Sequence, residues 1–288
     1  MTLPCAIIWL ATGALAPPQM AIIIDDLGYN LARAERAMAL PGPPTAAVLP
    51  FATESLAIAD YAHRHGVDVI LHQPMESVGD APEGPGTLKS AMTPAELSNA
   101  FSAALDSLPD VVGVSNHEGS LLTAEPDAMA LVMLEIRSRG LFFVDSRTTT
   151  ETVALDVARS AGVPSIRRDV FLDNRLDAEA IAAEFERAID IAKKRGHVVV
   201  IAHPHDVSLD FLERVLPTAD AELTSVAALV ESVRPLRRAA LVEPALRSFE
   251  LERAFVQRTA DDRTKKLRLV RDSTAVQRLD VREVRDAP

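Results

Sequence analysis

The chain has 288 residues, which is enough for one large α/β domain or two small domains. Aromatic residues make up only 4% of the chain, so we expect a core of Ala, Val, Leu and Ile side chains. The formal net charge of −11 argues against nucleic acid as a partner, because binding to phosphate backbones requires clustered Lys and Arg.

The first predicted element is an uncharged apolar run at the N-terminus, "CAIIWLATGALA", residues 5–16. It has the length of a signal-peptide core and ends in the small residues Ala14-Leu15-Ala16, so we predict a signal peptide over residues 1–16 and export to the periplasm or the exterior. The run is too short to span a bilayer. "MTLP" offers no Lys or Arg, and Pro17 opposes cleavage; the alternative is therefore a buried first strand or helix. Cys5 is the only cysteine, which rules out an internal disulfide.

From Met20 onward, short apolar runs alternate with amphipathic stretches of helical length. The runs are "AIIID", "TAAVLP", "VDVILH", "VVGVSNH", "LFFVDS", "VPSIRRDVF" and "HVVVIAH". Intervening stretches such as "TPAELSNAFSAALDSL" and "DAEAIAAEFERAIDIAKKRG" carry residues that favour helix starts and helix ends. Continuous apolar strands joined by helices predict a parallel sheet covered on its outer face. No G-x-G-x-x-G follows the first strand, which argues against a dinucleotide-binding fold.

Polar and ionisable residues stand at or just past the ends of these apolar runs. They are Asp25 and Asp26, His72, Asn116 and His117, Asp145, Asp169 and Asp173, and His203 and His205. In a parallel β/α barrel the carboxyl ends of the strands share one face, which carries the active site. We therefore predict that these side chains converge on a single site.

The adjacent carboxylates Asp25 and Asp26 are predicted to point in different directions, because successive side chains alternate along a strand. One of them can then bind a metal while the other faces the substrate. An isolated pair of this kind could equally cap the following helix. An Asp together with two His residues is, however, a donor set suited to Zn²⁺ or a similar divalent ion, with positions left for water and substrate.

Other strand-end residues allow more than one interpretation. Asp145 could orient a ligand histidine or pair with Arg147, and Asn116 could bind substrate or stabilise a turn. One of Arg167 and Arg168 should face the barrel interior and need a carboxylate partner, for which Asp145 and Asp169 are available.

A serine hydrolase built on Ser115, His117 and Asp145 is disfavoured, because the chain contains no G-x-S-x-G turn.

The composition changes at the C-terminal end of the chain. Residues 236–288 hold 13 Lys and Arg against 9 Asp and Glu, with no glycine. We predict a solvated extension with some helix there, and a basic arm that binds a partner is the alternative.

Six blocks of sequence, in order, resemble the signature blocks of the divergent polysaccharide deacetylases, a branch related to the NodB-type carbohydrate esterases. The blocks are "IIIDDLGYN", "LHQPMES", "GVSNHEGSLLT", "LFFVDSRTT", "RRDVFLDN" and "IAHPH". The resemblance runs from about Met20 to Pro235, and it implies one deacetylase-like domain over residues 17–235. The fold it implies is a distorted, seven-stranded parallel β/α barrel.

The resemblance also implies roles for individual residues. Asp25 corresponds to the catalytic base and Asp26 to a metal ligand, while His72 corresponds to the first histidine of an H-x-x-x-H metal motif. Four residues after His72 this chain has Glu76, so the third ligand is either Glu76 or a residue of another strand, and we assign His117. His203 resembles the histidine that acts as general acid, with His205 as the second choice. The residues expected to bind substrate or to support the ligands are Glu76, Asn116, Asp145, Arg168, Asp169 and His205.

The reaction implied by this resemblance is metal-assisted hydrolysis, most simply with zinc, of an N-acetyl or O-acetyl group on an envelope polysaccharide. Asp25 would take a proton from the attacking water, and His203 would protonate the departing amine or alcohol. The alternative is a barrel of the same fold that binds a glycan or an envelope protein without turnover. Such a protein could have His72 and His117 buried and fully hydrogen-bonded.

Overall fold

The structure is a computed structural model that describes residues 17–79 and 83–233. The strands within these ranges are β1 Gln19–Leu27, β2 Thr45–Val48, β3 Asp68–Met75, β4 Gly113–Glu118, β5 Phe142–Asp145, β6 Ser165–Arg167, β7 Val170–Phe171, β8 His197–Ala202 and β9 Glu222–Thr224. The helices are α1 Leu31–Met38, α2 Ser55–Arg64, α3 Pro94–Asp106, α4 Pro126–Ser138, α5 Ala154–Ser160, α6 Ala178–Arg195, α7 Asp206–Val215 and α8 Val226–Ser232. The predicted signal peptide, residues 1–16, and the predicted extension, residues 236–288, lie outside the described residues.

The strands form one curved sheet in which every pairing of strands is parallel. Neighbouring strands follow the order β6-β5-β4-β3-β2-β1-β8-β7, and β9 pairs with the first residues of β1. Helices connect most successive strands, as parallel pairing requires. The predicted fold class, a distorted parallel β/α barrel, is confirmed.

The described residues form nine strands instead of the seven that were predicted, because "VPSIRRDVF" forms two short strands, β6 and β7, and because Glu222–Thr224 adds β9. β6 pairs with β5, whereas β7 pairs with β8 at the other edge of the sheet. The crossing occurs between two residues: the Arg168 N–H donates to the Asp145 carbonyl, and the Asp169 N–H donates to the Val199 carbonyl, both at 2.9 Å. The segment over residues 165–171 therefore contacts both edges of the sheet. It cannot be one continuous strand, because its two halves pair with different strands.

Aliphatic side chains fill the barrel interior. One buried cluster contains Ala21, Ile23, Ala47, Ile70, Phe142, Val144, Ile166, Val199, Ile201, Val226, Leu229 and Val230. Val226, Leu229 and Val230 belong to α8. This helix lies at the amino-terminal end of β1, where the Ser232 hydroxyl donates to the Gln19 side chain at 3.4 Å. The amino-terminal end of the barrel is therefore closed by apolar packing, and polar side chains are concentrated at the opposite end.

Local signals explain where the longer helices begin and end. At α3, the Glu96 N–H donates to the Thr93 hydroxyl and the Thr93 N–H donates to the Glu96 carboxylate, which is a complete capping box. α6 begins after Asp177, whose carboxylate accepts from the Ala180 N–H, and ends at Gly196 with a φ of 84°. Within the described ranges, no helix combines the length and apolarity needed to cross a membrane.

Candidate metal centre at the carboxyl ends of the strands

Strand register decides which polar side chains meet inside the barrel. Ile23, Ile70 and Ile201 belong to the interior cluster, so side chains two residues further along β1, β3 and β8 face the same way. Those side chains are Asp25, His72 and His203. His72 is paired in register with Ser115, which places Ser115 and then His117 on the same interior face.

Asp26 is out of phase with this interior face, yet an irregularity at the end of β1 turns it toward the site. The register of β1 against β2 shifts between Ile24 and Leu27, and Asp26 adopts a left-handed φ of 60°. The His72 Nε2 atom consequently lies 3.5 Å from Asp25 Oδ2 and 3.2 Å from Asp26 Oδ1. The expectation that alternation would direct the two carboxylates apart is thus wrong, because the strand is not regular at this point.

Three ligand atoms converge where β1, β3 and β4 end. Asp26 Oδ1, His72 Nε2 and a ring nitrogen of His117 all lie within 4.8 Å of one another. Asp26 Oδ1 is 2.8 Å from His117 Nδ1, and the two imidazole nitrogens are 3.3 Å apart. His72 Nδ1 is hydrogen-bonded to the Ser115 hydroxyl at 2.7 Å; when Nδ1 is the donor, Nε2 offers its lone pair to the site.

The chemistry of this set suits a divalent cation. Asp26 Oδ1 is buried and accepts no aligned hydrogen bond from the described residues, although two imidazole nitrogens lie close to it. A cation between the three atoms would satisfy the oxygen and both nitrogen lone pairs. Two imidazoles and a carboxylate are a common three-residue set in catalytic zinc sites. The side chains of His117 and Asp26 are 26% and 36% exposed, so the site is accessible from solvent.

The ionisable groups of the site respond to burial and to one another. Burial raises the pKa of Asp25, and the neighbouring histidines only partly offset this effect. Burial would also raise the pKa of Asp26, but the nearby His117 and His72 rings outweigh it and lower that pKa. For His117, burial opposes protonation, whereas the Asp26 carboxylate favours it strongly enough to raise the pKa. The two adjacent aspartates therefore differ in their protonation behaviour.

His203 is held beside the three ligand atoms by Asp173. The His203 Nδ1–H donates to Asp173 Oδ1 at 2.9 Å, and the Nε2 atom lies 3.7 Å from Asp26 Oδ2. The His203 N–H and the Ser208 hydroxyl both donate to the other Asp173 oxygen, at 2.7 Å. Burial would lower the pKa of His203, but the Asp173 hydrogen bond and the charge of Asp25 raise it to about 9.

Two residues that position site histidines were not assigned this role from the sequence. Asp173 stands at a predicted strand end without a role, and Ser115 enters only as the nucleophile of a disfavoured serine hydrolase. Both lie on the interior face of the barrel, where Asp173 and Ser115 each hold the Nδ1 atom of a site histidine. Counting strand phase from the aliphatic core would have identified them. Ser208 belongs to α7, and no strand pattern could have indicated its contact with Asp173.

Several residues predicted for the site are bound to protein groups instead of the three ligand atoms. Glu76 accepts from the Ser90 N–H and hydroxyl, each at 2.6 Å. The Asn116 amide donates to the Glu118 carbonyl and accepts from the Ser146 N–H. Asp145 accepts from the Arg147 N–H at 2.8 Å and from the Thr152 hydroxyl at 3.2 Å. It therefore pairs with the Arg147 backbone and is hydrogen-bonded to no histidine of the described ranges.

Three more residues were predicted to bind substrate or to support the metal ligands, and their surroundings differ from that prediction: Asp169, Arg168 and His205. The buried Asp169 carboxylate pairs with Arg195 at 2.5 Å and accepts from the Val199 N–H, which places it lower in the barrel than the site. Arg168 forms no ion pair with the described residues. It donates to the Ser146 and Arg147 carbonyls, so backbone groups take the place of the expected carboxylate partner. His205 is half-buried at the start of α7, with its ring 5.9 Å from that of His203.

The rim of the site is strained and contains a small cavity beside His117. Left-handed φ values occur at Asp26, Phe51, Glu118 and Arg147, each in a segment at or just past the end of a strand. Such strain is concentrated at functional sites in many proteins. The cavity has a volume of about 50 Å³, and its lining includes Pro74, Met75, Glu76, Ser77, Gly79, Glu83, Gly84, Thr87, His117 and Glu118.

Comparison with known proteins identifies two related sequences and a solved structure of the same fold. The chain is 33% identical to the uncharacterized protein YibQ of Escherichia coli K12 over 223 residues, which cover 77% of this chain and 70% of YibQ. An uncharacterized protein of Haemophilus influenzae is 32% identical over 200 residues, covering 69% of this chain and 71% of its own. The crystal structure of ATU2773 from Agrobacterium tumefaciens shares the fold, with a TM-score of 0.70, 24% identity, and coverage of 76% and 91% of the two chains.

The family match covers most of the barrel. The model of the divergent polysaccharide deacetylases matches residues 22–230, a range that contains most of β1, all of β2 to β9, the three converging ligand atoms, Asp25 and His203. It begins within β1 and ends within α8. This chain therefore belongs to the divergent polysaccharide deacetylase family.

Proposed function

We propose that this protein is a metal-dependent hydrolase that removes acetyl groups from an envelope polysaccharide. The observation that carries the proposal is the convergence of Asp26, His72 and His117 within 4.8 Å, with Asp25 and His203 directly beside them. Family membership supports an acetylated glycan as the substrate class. Both N-acetyl and O-acetyl groups are compatible with this arrangement.

A divalent cation, for which zinc is the best match, would be held by Asp26 Oδ1, His72 Nε2 and His117 Nδ1. When bound, it would act as a Lewis acid on the acyl carbonyl and on water. The Ser115 hydroxyl fixes the orientation of the His72 ring toward that position.

Asp25 is suited to act as the general base. It is 3% exposed, one of its oxygens has no hydrogen-bond partner among the described residues, and burial raises its pKa toward the range in which a base is effective. Asp25 would accept one proton from the attacking water as the new bond to the acyl carbon forms.

His203 is suited to act as the general acid. Because Asp173 accepts the Nδ1–H, the Nε2 atom is the one directed toward the site. With a pKa of about 9, His203 carries a proton at neutral pH that it can donate to the departing nitrogen or oxygen. Cleavage of the C–N or C–O bond would then release acetate and the free amine or alcohol.

Export completes the proposal. The apolar segment over residues 5–16 would direct the chain to the periplasm or out of the cell, where envelope polysaccharide is accessible. The test is N-terminal sequencing of the protein recovered from the periplasm of a bacterial host. Retention of the whole chain in the cytoplasm would overturn this part of the proposal.

The deacetylase proposal is tested by measuring metal content and acetate release on Asp25→Asn and Asp26→Asn. We expect Asp26→Asn to lose the metal, and activity with it, because a ligand oxygen is replaced by a weaker donor. Asp25→Asn should keep the metal and lose turnover by about 10²-fold or more, because the proton acceptor is removed. Asp60→Asn, an exposed aspartate of α2, is the matched control and should match wild type in both measurements.

Three outcomes would contradict the proposal in different ways. If metal-loaded wild type releases no acetate from any acetylated oligosaccharide in a broad panel, the deacetylase proposal fails and a binding barrel without turnover replaces it. If Asp25→Asn loses the metal while Asp26→Asn keeps it, the two roles are reversed. Equal metal content in wild type and Asp26→Asn would remove Asp26 from the ligand set.

A further inference from the structure

Two arginines beside the site, Arg147 and Arg168, are half-buried cations without a carboxylate partner. In the described ranges, neither guanidinium has a carboxylate oxygen within 4.0 Å. The other described arginines that form no ion pair are all exposed: Arg137, Arg159, Arg167 and Arg214. Removing a cation from water without a counter-charge is costly, so these two positions require an explanation.

The fold holds Arg168 in place without neutralising it. Arg168 lies where the chain crosses between the edges of the sheet, and its Nε and Nη2 groups donate to the Ser146 and Arg147 carbonyls at 2.5 and 2.7 Å. The guanidinium also lies over the Phe171 ring, 5.1 Å from its centre, and that ring is 5.0 Å from the His203 ring. The guanidinium is therefore held against a ring that also packs against the proposed general acid, and its Nη1 makes no hydrogen bond to the described residues.

Arg147 is also held by its backbone only. Its φ is 51°, its N–H donates to Asp145 and its carbonyl accepts from Arg168, while its side chain makes no hydrogen bond to the described residues. Asp145 is a carboxylate two residues before Arg147, but its two oxygens accept from the Arg147 N–H and from the Thr152 hydroxyl. A neighbouring carboxylate thus influences the Arg147 guanidinium without pairing with it.

The residue directly before Arg147 carries a buried hydroxyl without a partner among the described residues, and its backbone carbonyl contacts Arg168. Ser146 is 5% exposed, and its hydroxyl has no hydrogen-bond partner among the described residues. Its N–H donates to Asn116, and its carbonyl accepts from Arg168. Buried hydroxyls are normally hydrogen-bonded, so this one is available to a group that is not part of the chain.

The electrostatic surroundings of Arg168 agree with a missing anion. Burial and the Arg147 charge lower the pKa of Arg168, and the attraction of Asp25 and Asp145 does not compensate for them. An anion bound here would relieve the repulsion between the two arginines.

We propose that Arg147, Arg168 and Ser146 form a binding site for an anionic oxygen group, a carboxylate or a phosphate, carried by the glycan next to the acetyl group that is removed. Guanidinium groups bind both anions through paired N–H donors, and a serine hydroxyl can donate a further hydrogen bond. The identity of the molecule that carries the anion rests on the proposed function. The anion site itself does not, because it can be measured without a metal and without turnover.

The test is calorimetric titration of the metal-free full chain with inorganic phosphate and, separately, with glucuronate. Arg147→Gln is the main variant, because this side chain makes no hydrogen bond that the fold needs. We expect its affinity for the better of the two anions to be about tenfold weaker than that of wild type, as for loss of one charged hydrogen-bond partner. Arg159→Gln, which removes an exposed arginine of α5, changes the net charge equally and should bind like wild type.

The two anions identify the source of the charge. Stronger binding of phosphate supports a phosphorylated glycan, and stronger binding of glucuronate supports a uronic acid or another sugar carboxylate. Arg168→Gln should weaken the affinity for the same anion, and the melting temperature of this variant shows whether loss of its two carbonyl contacts has disturbed the fold.

The proposal is overturned if wild type binds neither anion, or if Arg147→Gln and Arg159→Gln bind the anion equally well. A weaker Arg147→Gln combined with no acetate release by wild type would keep the anion site and remove the deacetylase.

Discussion

At the scale of single residues, Asp25, Asp26 and His203 have pKa values moved in different directions by their surroundings. Burial dominates at Asp25 and raises its pKa, whereas two adjacent imidazoles dominate at Asp26 and lower its pKa. At His203, burial lowers the pKa, but Asp173 and Asp25 together raise it to about 9. Separated pKa values of this kind allow a ligand, a base and an acid to operate at one pH.

The role of Asp173 as the residue that positions and charges His203 can be tested by titration. Asp173→Asn removes the charge that accepts the Nδ1–H, so the pKa of His203 should fall from about 9 by about one unit or more. The measurement is an NMR titration of the His203 ring in the metal-free protein. Asp220→Asn, which removes an aspartate paired only with an exposed lysine, is the control and should leave the titration unchanged.

The same shift predicts how the stability of the metal-free protein depends on pH. His203 has an ordinary pKa of 6.5 when unfolded and about 9 when folded, so the folded state binds the proton more tightly. Its contribution to stability is therefore complete below about pH 6.5 and is lost as the pH rises through about 9. An equal loss of stability over this window in wild type and Asp173→Asn would show that Asp173 does not set the protonation of His203.

At the scale of secondary-structure elements, two irregularities shape the site. The irregular end of β1 brings Asp26 alongside Asp25, and the crossing between β6 and β7 brings Arg168 to the rim. Asp169, one residue after the crossing, secures this segment to β8 through the Val199 N–H and to α6 through Arg195. The crossing therefore depends on a buried carboxylate.

Asp169→Ala should destabilise the fold without affecting the metal site. Loss of a buried carboxylate that accepts a backbone hydrogen bond and pairs with Arg195 should lower the free energy of unfolding by about 2 kcal/mol. Denaturant unfolding measures this loss, and elemental analysis of the folded protein should show unchanged metal content. Asp220→Ala removes an exposed ion pair with Lys193 and should leave the free energy of unfolding almost unchanged. Metal loss in Asp169→Ala would place Asp169 in the site, as the sequence had predicted.

Strand phase explains which site residues could be predicted from sequence. His72, His117 and His203 lie in phase with the aliphatic interior, so the apolar pattern itself directs them inward. Asn116 and Asp145 are out of phase with this interior and bind backbone groups instead. Asp169 lies beside the interior residue Val199, but its carboxylate binds the Val199 N–H and Arg195. Asp26 is the exception, because its inward position depends on a left-handed φ that no alternation pattern indicates.

At the scale of the whole molecule, the fold was predictable because its strands and helices follow strong local patterns and six sequence blocks match one family in order. The number of strands was not predictable for two reasons. "VPSIRRDVF" is one run in the sequence although its halves pair with opposite edges of the sheet, and β9 has only three residues. Pairing across the barrel depends on contacts distant in sequence, and local composition does not encode them.

Deletion of residues 236–288 tests the predicted domain boundary. The family match ends at residue 230 and the last described helix ends at Ser232, so the shortened chain should keep every described element. Its melting temperature should remain within about 2 °C of that of the full chain, since no described core contact is removed. A fall of about 10 °C would show that these residues contribute to the stability of the barrel.

The central claim, a divalent cation held by three side chains at the carboxyl ends of β1, β3 and β4, is tested most directly by anomalous X-ray scattering. Crystals of the full chain grown with zinc would be measured on both sides of the zinc absorption edge. We predict one strong anomalous peak at about 2.0–2.2 Å from Asp26 Oδ1, His72 Nε2 and His117 Nδ1. A peak coordinated by Glu76 in place of His117, or no peak among these three side chains, would contradict the account.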